Sequence, residues 1–234
     1  RNGNLVHFNA YGEMDLEQHK PMREEAIFRM YSMTKPLTAV ALLILYEQGY
    51  FQLSDPISQY IPAFKELKVL EGHQHVSLNR EATIHDLLLH TSGFSHPLQI
   101  SPIGELYRTA SLSKIYGGDD LKGFIQRLAQ FPLAFQPGTH WHYSLSYLVL
   151  SYLIELLSDM PFDEWIAKKI TTPLGMFDTN FYVPKHKLSR LATLYTHHFP
   201  ITTHDLDKDG IKRNFTLHKM KENEEVLTPP TLLS

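Results

Sequence analysis

The chain has 234 residues, 43% hydrophobic and 20% charged, a balance that can fill one large domain or two small ones around a sizeable core. Its formal charge is −3 with histidine neutral, which gives no electrostatic basis for holding nucleic acid, and the fourteen histidines would raise that charge only in mild acid. Cysteine is absent, so disulfides, thiol catalysis and cysteine-ligated metals are excluded, and no apolar run reaches the roughly 18–20 residues of a membrane span.

From the start, Arg1 and the residues after it lack the charged-then-apolar pattern of a secretory leader, and the beginning reads as internal, leaving compartment and oligomeric state open. Asn2-Gly3 is a hairpin-turn dipeptide, and the weak alternation over residues 4–11 predicts a strand whose partner would lie before Arg1. Asp15 to Glu25 is polar, carries Pro21 and reads as loop. Phe28 to Tyr31 predicts a short strand or an extended lead-in.

That lead-in delivers Ser32. Leu37 to Leu45 is almost wholly Leu, Ala, Val and Ile, and Gly49 lies just past it, so a helix is predicted that begins between Ser32 and Lys35. Pro36, which has no N–H to give, suits its first turn. Being apolar on all sides, this helix is expected to be buried through the middle of a domain. Ser32 and Lys35 stand three apart and share a face at its mouth. A serine hydroxyl becomes a nucleophile when a base takes its proton, and a lysine beside a helix N-terminus is pushed toward the neutral form that can do so. The free N–H groups there suit an oxyanion. Roughly one Ser-x-x-Lys match is expected by chance in such a chain, and there is a second, Ser111/Lys114. No apolar helix follows that one, so it reads as surface loop.

Gly49 to Phe64, with Pro56 and Pro62, predicts a turn-rich segment. Thr83 caps a short helix that ends near Ser92-Gly93, and its His85 and His90 read as packing or hydrogen-bonding histidines rather than catalytic ones. Residues 93–119 predict an insertion forming a wall or lid, and Leu121 to Ala129 an amphipathic helix. A Pro137-Gly138 turn then delivers Trp141, His142, Tyr143 and Ser144 to the start of an apolar helix over about Leu145–Leu157. Tyr143 is thereby placed where a phenol can reach a cleft and pass a proton beside Lys35, and equally where an aromatic ring can be buried at an interface. Pro161 to Ile170 predicts a helix with Trp165 in the core. Asp205-x-Asp207-x-Asp209-Gly210 imitates a calcium loop, but its twelfth position is Thr216 where a glutamate is required, so calcium is rejected. Asn214-Phe215-Thr216 spells a glycosylation sequon, relevant only in a protein secreted by a eukaryote. The close pairs His73/His75, His140/His142 and His197/His198 have no helical i, i+4 partner with a nearby Glu, and no metal is expected.

The run Phe28-Arg29-Met30-Tyr31-Ser32-Met33-Thr34-Lys35-Pro36 resembles the nucleophile segment of the serine β-lactamase-like hydrolases, which include class C β-lactamases, penicillin-binding carboxypeptidases and related esterases. Further landmarks follow in family order: Leu53–Ile57 with Tyr60–Pro62, Thr83–Phe94, Pro137-Gly138-Thr139 with Tyr143-Ser144, and Pro173–Thr179. The resemblance implies a mixed α/β (α+β) fold of the β-lactamase/transpeptidase type, an antiparallel sheet flanked by helices plus an all-helical region. The sheet would be incomplete here. One partial domain would cover residues 1–234, with the helical region at about 65–180. It implies Ser32 as nucleophile, Lys35 and Tyr143 as base and acid, and Trp141 and Ser144 as substrate-binding residues. The substrate would be a small ester, amide or β-lactam, with no cofactor. Leu145 stands where the β-lactamases carry an Asn that helps hold the lactam, which fits the esterase branch, as do Trp141 and the segment Arg190–Tyr195. The chain ends before any Lys-Thr-Gly, His-x-Gly or Trp-Gly-Gly-like strand, so it reads as a piece of that domain.

Overall fold

The computed structural model describes residues 1–110, 112, 120–196 and 218–219. In chain order the elements are β1 (Glu13–Asp15), β2 (Lys20–Pro21), α1 (Thr34–Glu47), β3 (Lys68–Glu71), β4 (Gln74–Ser77), α2 (Ile84–Leu88), α3 (Pro102–Thr109), α4 (Leu121–Leu128), α5 (Ser146–Ser158), α6 (Phe162–Ile166), β5 (Tyr195–Thr196) and β6 (His218–Lys219). The strands form three antiparallel pairs, β1–β2, β3–β4 and β5–β6, so the class is mixed α/β with small sheets. None of the described helices is long and apolar enough to cross a membrane. The described residues before Tyr31 and after Phe181 form one compact unit, and those from Tyr31 to Phe181 another.

In the first unit the predicted turn is present and the predicted strand is not. Asn2 and Gly3 both take positive φ, 54° and 78°, as Asn-Gly turns do, and the Asn4 N–H donates to the Arg1 carbonyl. Residues 4–11 nevertheless form no strand, because no described strand lies beside them, and Leu5, Val6 and Phe8 stay exposed. Pairing falls instead across the start of the stretch read as loop, where β1, which begins two residues before it, and β2 turn back over residues 16–19. The Asp15 carboxylate accepts the Gln18 N–H at 2.9 Å, and His19 supplies a positive φ of 48°. Arg190–Thr193 then runs beside two earlier segments. The Ile27 N–H donates to Arg190, the Ala192 N–H to Ile27 and the Thr193 N–H to Met14, each at 2.8 Å. The Phe28 lead-in is thus extended chain held by one parallel bridge at Ile27.

The second unit is helical around one core. Helix α1 starts after a 3-10 turn at Tyr31–Met33, carries Pro36 in its first turn and stops at Gly49, whose φ of +78° lets the chain leave. It packs on α5 and α6 through Thr38, Ala41, Leu42 and Leu45, an i, i+3, i+4, i+7 stripe. The Trp165 indole N–H donates to the Ala41 carbonyl at 3.3 Å, tying α6 to the middle of α1. The expectation of burial on all sides is corrected: Val40 (49%) and Leu43 (40%) are exposed. An all-round apolar sequence records what a helix can bury, and among the described residues the packing of α1 falls on the face of Thr38, Ala41, Leu42 and Leu45.

The turn-rich segment after Gly49 forms 3-10 turns at Ile57–Gln59 and Pro62–Phe64, which send Ile57 and Phe64 into the core. Hairpin β3–β4 closes over Gly72-His73, with Gly72 at φ +62°. Helix α2 has a full capping box: the Thr83 hydroxyl accepts the Asp86 N–H, and the Asp86 carboxylate accepts the Thr83 N–H. It ends at Leu88, short of Ser92. Part of the expected wall is helix α3, capped by Ser101, while Ser111 and Lys114 lie outside the described residues, as do Asp205–Gly210, Asn214 and His197/His198. Helices α4 and α5 match their predicted spans within a residue or so, and α6 continues as a π-helical turn at Ala167–Thr171.

Candidate active site

Ser32 sits in the 3-10 turn that opens α1, exposed, directly after Tyr31 at φ 45°. A tyrosine in the left-handed region costs of order 1 kcal/mol or more and persists only where its surroundings impose it. The residue so presented has two polar neighbours. The Ser32 hydroxyl lies 2.6 Å from the Tyr143 hydroxyl, and the Lys35 ammonium donates to it at 3.3 Å. Lys35 Nζ also stands 4.9 Å from the Tyr143 ring centroid and 5.9 Å from that of Tyr147, so two aromatic faces receive its charge. Among the described residues no carboxylate forms an ion pair with it.

Tyr143 reaches Ser32 because its segment is fastened to the chain that follows α2. The Gly138 N–H donates to the Thr91 carbonyl at 2.8 Å, the His142 N–H to His90 at 2.9 Å and the Leu145 N–H to Ser95 at 3.0 Å. Gly138 turns the chain into this alignment with a φ of +85°. Helix α5 begins three residues after Tyr143, as α1 begins two after Ser32, and the two helices pack together. Ser32 and Tyr143 thus each stand just before a helix, and their side chains meet where those two packed helices are entered.

Around Tyr143 lie three histidines. The rings of His90 and His96 stand 4.9 and 5.5 Å from its ring. Burial, reinforced by the nearby Lys35 charge, lowers both histidines to about 4, and burial also lowers His142. They are neutral at pH 7. The Ser144 N–H donates to His90 Nδ1 at 3.2 Å, so the neutral ring carries its proton on Nε2. His142 Nε2 meets the Ser95 hydroxyl at 3.0 Å.

Of the residues singled out in the sequence, Ser32, Lys35 and Tyr143 come together. Trp141 is 69% exposed, its ring edge-on to His90 at 6.3 Å. Ser144 does not join them at the surface. It is 2% exposed, its hydroxyl held by His90 at 3.1 Å and by Ser146 at 2.7 Å, with Ser92 next in the chain of hydroxyls at 2.8 Å. Residues 143 and 144 point to opposite sides of the segment, Tyr143 toward Ser32 and Ser144 into the core. His90 is a packing and hydrogen-bonding residue, as read, but the group it packs on is Tyr143, a contact between residues 53 apart that no local pattern announces.

Residues 1–211, which hold all three of these groups, match the family described as Beta-lactamase. Esterase EstB of Burkholderia gladioli is 35% identical over 186 residues, covering 77% of this chain and 45% of the esterase. Penicillin-binding protein 4* of Bacillus subtilis is 26% identical over 77% of this chain and 36% of its own length. The solved structure of EstCE1, described as a hydrolase with promiscuous acyltransferase activity, superposes with a TM-score of 0.74 at 30% identity, over 83% of this chain and 49% of that one. The chain spans about half the length of the first curated relatives it matches. With the family model covering nine-tenths of its residues, the chain belongs to the Beta-lactamase family.

Proposed function

We propose that this chain carries the nucleophile side of a serine hydrolase that works through an acyl-enzyme, with an ester as its preferred substrate. The observation that carries the reading is the Ser32 hydroxyl held at 2.6 Å from the Tyr143 hydroxyl and 3.3 Å from Lys35 Nζ. As the serine oxygen bonds to the carbonyl carbon, its proton passes to the Tyr143–Lys35 pair. The oxyanion is met by the Ser32 N–H in the first turn. The pair then returns the proton to the departing alkoxide, which leaves as an alcohol. Water repeats the sequence on the acyl-enzyme, giving up its proton to the pair, and the acid is released as Ser32 is reprotonated.

The preference for esters rests on position 145. Leu145 is buried and supplies the N–H that ties the segment to Ser95, so it presents no amide to a lactam. Its similarity to EstB and EstCE1 points the same way. The test is labelling with a fluorophosphonate followed by mass spectrometry of the tagged peptide, with turnover of p-nitrophenyl butyrate and of a chromogenic cephalosporin run in parallel. The expected result is a tag on Ser32, absent in Ser32→Ala, with the ester turned over faster than the cephalosporin. Persistent labelling of Ser32→Ala would remove Ser32 as the nucleophile. An unlabelled parent chain would favour a binding role for the scaffold.

A further inference from the structure

Three consecutive residues around the phenol are each held by one side chain and its backbone. The His142 N–H donates to the His90 carbonyl oxygen at 2.9 Å, the Tyr143 ring packs 4.9 Å from the His90 ring, and the Ser144 N–H donates to His90 Nδ1 at 3.2 Å. Tyr147, on the first turn of α5, packs against the same imidazole at 5.1 Å. His90 does this from a backbone conformation that a histidine rarely adopts. Its φ is +57°, just past the end of α2, where glycine or asparagine is the ordinary residue. A side chain kept where the backbone favours glycine points to a task for that side chain.

Resting on the serine-hydrolase reading above, we infer that His90 is a positioning residue: it clamps residues 142, 143 and 144 together and so fixes the Tyr143 phenol against the Ser32 hydroxyl. The imidazole is suited to this as two parts. One edge offers an acceptor for the Ser144 N–H, and the plane offers a surface for the phenol ring. Its lone pair is occupied by that N–H, and its burial beside Lys35 disfavours the charged form, so it acts through Tyr143 and moves no proton itself. The buried hydroxyls of Ser144, Ser146 and Ser92 extend the clamp into the core and keep the Nδ1 edge from turning.

The experiment compares the parent chain with His90→Asn and His90→Gly, each also combined with Tyr143→Phe, and follows single-turnover acylation by p-nitrophenyl butyrate. Both replacements accept a positive φ, so the turn after α2 survives in each. Asn Oδ1 can still take the Ser144 N–H but gives no ring, whereas glycine supplies neither. His90→Gly is expected to slow acylation about 100-fold, the scale of a 1 Å misplacement, and His90→Asn about tenfold, with half-saturation unchanged within about twofold. With Tyr143→Phe present, either His90 change should alter the rate less than about twofold, because the group it positions is gone. Equal losses in both backgrounds, or a glycine variant as fast as the parent, would overturn the clamp. Should the parent chain not acylate, the hydrolase reading fails while the clamp is still decided by NMR of ring-labelled tyrosine. The signal lost in Tyr143→Phe should be sharp and dispersed in the parent and collapse toward the free-tyrosine position in His90→Gly. An unmoved signal would refute the clamp.

Discussion

Asp86 anchors the segment on which the site rests, and its replacement by asparagine should be among the most damaging single changes outside the site itself. The carboxylate accepts from Arg80 at 2.6 and 3.0 Å, from the Thr83 N–H and hydroxyl at 2.9 Å each, and from the Thr91 hydroxyl at 3.0 Å, with its side chain only 6% exposed. Burial pushes this acid up, but the Arg80 guanidinium and the Thr83 and Thr91 donors outweigh it and hold it at about 2, against an ordinary 3.8. At roughly 1.36 kcal/mol per pH unit, that drop corresponds to about 2 kcal/mol of folding stability. Because the folded state holds the proton less tightly than the unfolded state, this contribution is complete above about pH 4 and is lost as pH falls from there through about 2. Asp86→Asn keeps the shape and removes the charge, while its amide nitrogen is set among donors. The expected loss at pH 7 is about 2–4 kcal/mol, the upper part reflecting the unpaired Arg80. Both tryptophans, Trp141 and Trp165, lie between Tyr31 and Phe181, so fluorescence during urea unfolding reads this unit directly. The gap between parent and variant should shrink by about 1.5 kcal/mol between pH 7 and pH 2.5, the remainder being lost at lower pH. A gap that stays constant over that range, or is below about 1 kcal/mol at pH 7, would refute the reasoning.

Three further outcomes follow from the same geometry. Gly93→Ala should lower the melting temperature sharply, by a stability loss above about 2 kcal/mol, since its new Cβ would stand 2.5 Å from the Phe135 carbonyl oxygen at a backbone φ of +89°. Calorimetry checks this, and a neutral result would mean that the junction between Gly93 and residues 133–135 is loose. Stability should also fall as pH drops from about 6.5 through about 4, because His90 and His96 are kept unprotonated when folded and take up protons when unfolded. That window lies above the Asp86 one, and a flat urea midpoint across it would contradict the neutral histidine cluster. Trp141→Ala should raise the half-saturation concentration for aryl esters several-fold while leaving the melting temperature within a degree or two, as expected of a ring 69% exposed and edge-on to His90.

What the sequence made legible was whatever rests on local chemistry. The Ser32–Lys35 spacing, the Pro36 start, the Gly49 stop, the Thr83 cap and the Pro137-Gly138 turn each depend on residues within a few positions, and each is present. The strand over residues 4–11 failed because alternation signals a capacity to pair and says nothing of whether a partner is beside it. Hairpin β3–β4 passed unnoticed since Lys68–Glu71 and Gln74–Ser77 are too polar to alternate clearly, although Gly72 at the first loop position was the available signal. Helix α3 was hidden by Pro102 and Gly104. Yet proline is at home in a first turn, and Gly104 is required by the Gln99 carbonyl, 2.1 Å from where a Cβ would stand. The inward turn of Ser144 and the clasp of His90 are tertiary facts, set by which face of an extended segment meets the core.

The packing of α1 against α5 explains why two such apolar helices carry residues of the site at their starts. Burial of Ala41, Leu42 and Leu45 of α1, and of Leu148, Val149, Leu150, Leu153 and Ile154 of α5, holds them in the core, at about 25 cal/mol per Å² of apolar surface. As a result Ser32, two residues before a 14-residue helix, and Tyr143, three before a 13-residue one, bring their oxygens to 2.6 Å. Lys35 Nζ stands 3.3 Å from the Ser32 oxygen. In the proposed reaction, negative charge that develops on the Ser32 oxygen or on the carbonyl it attacks meets the N-terminal end of α1, a dipole fixed before the reaction begins. The apolar core thus positions the site, because it fixes how the helices that follow Ser32 and Tyr143 pack together.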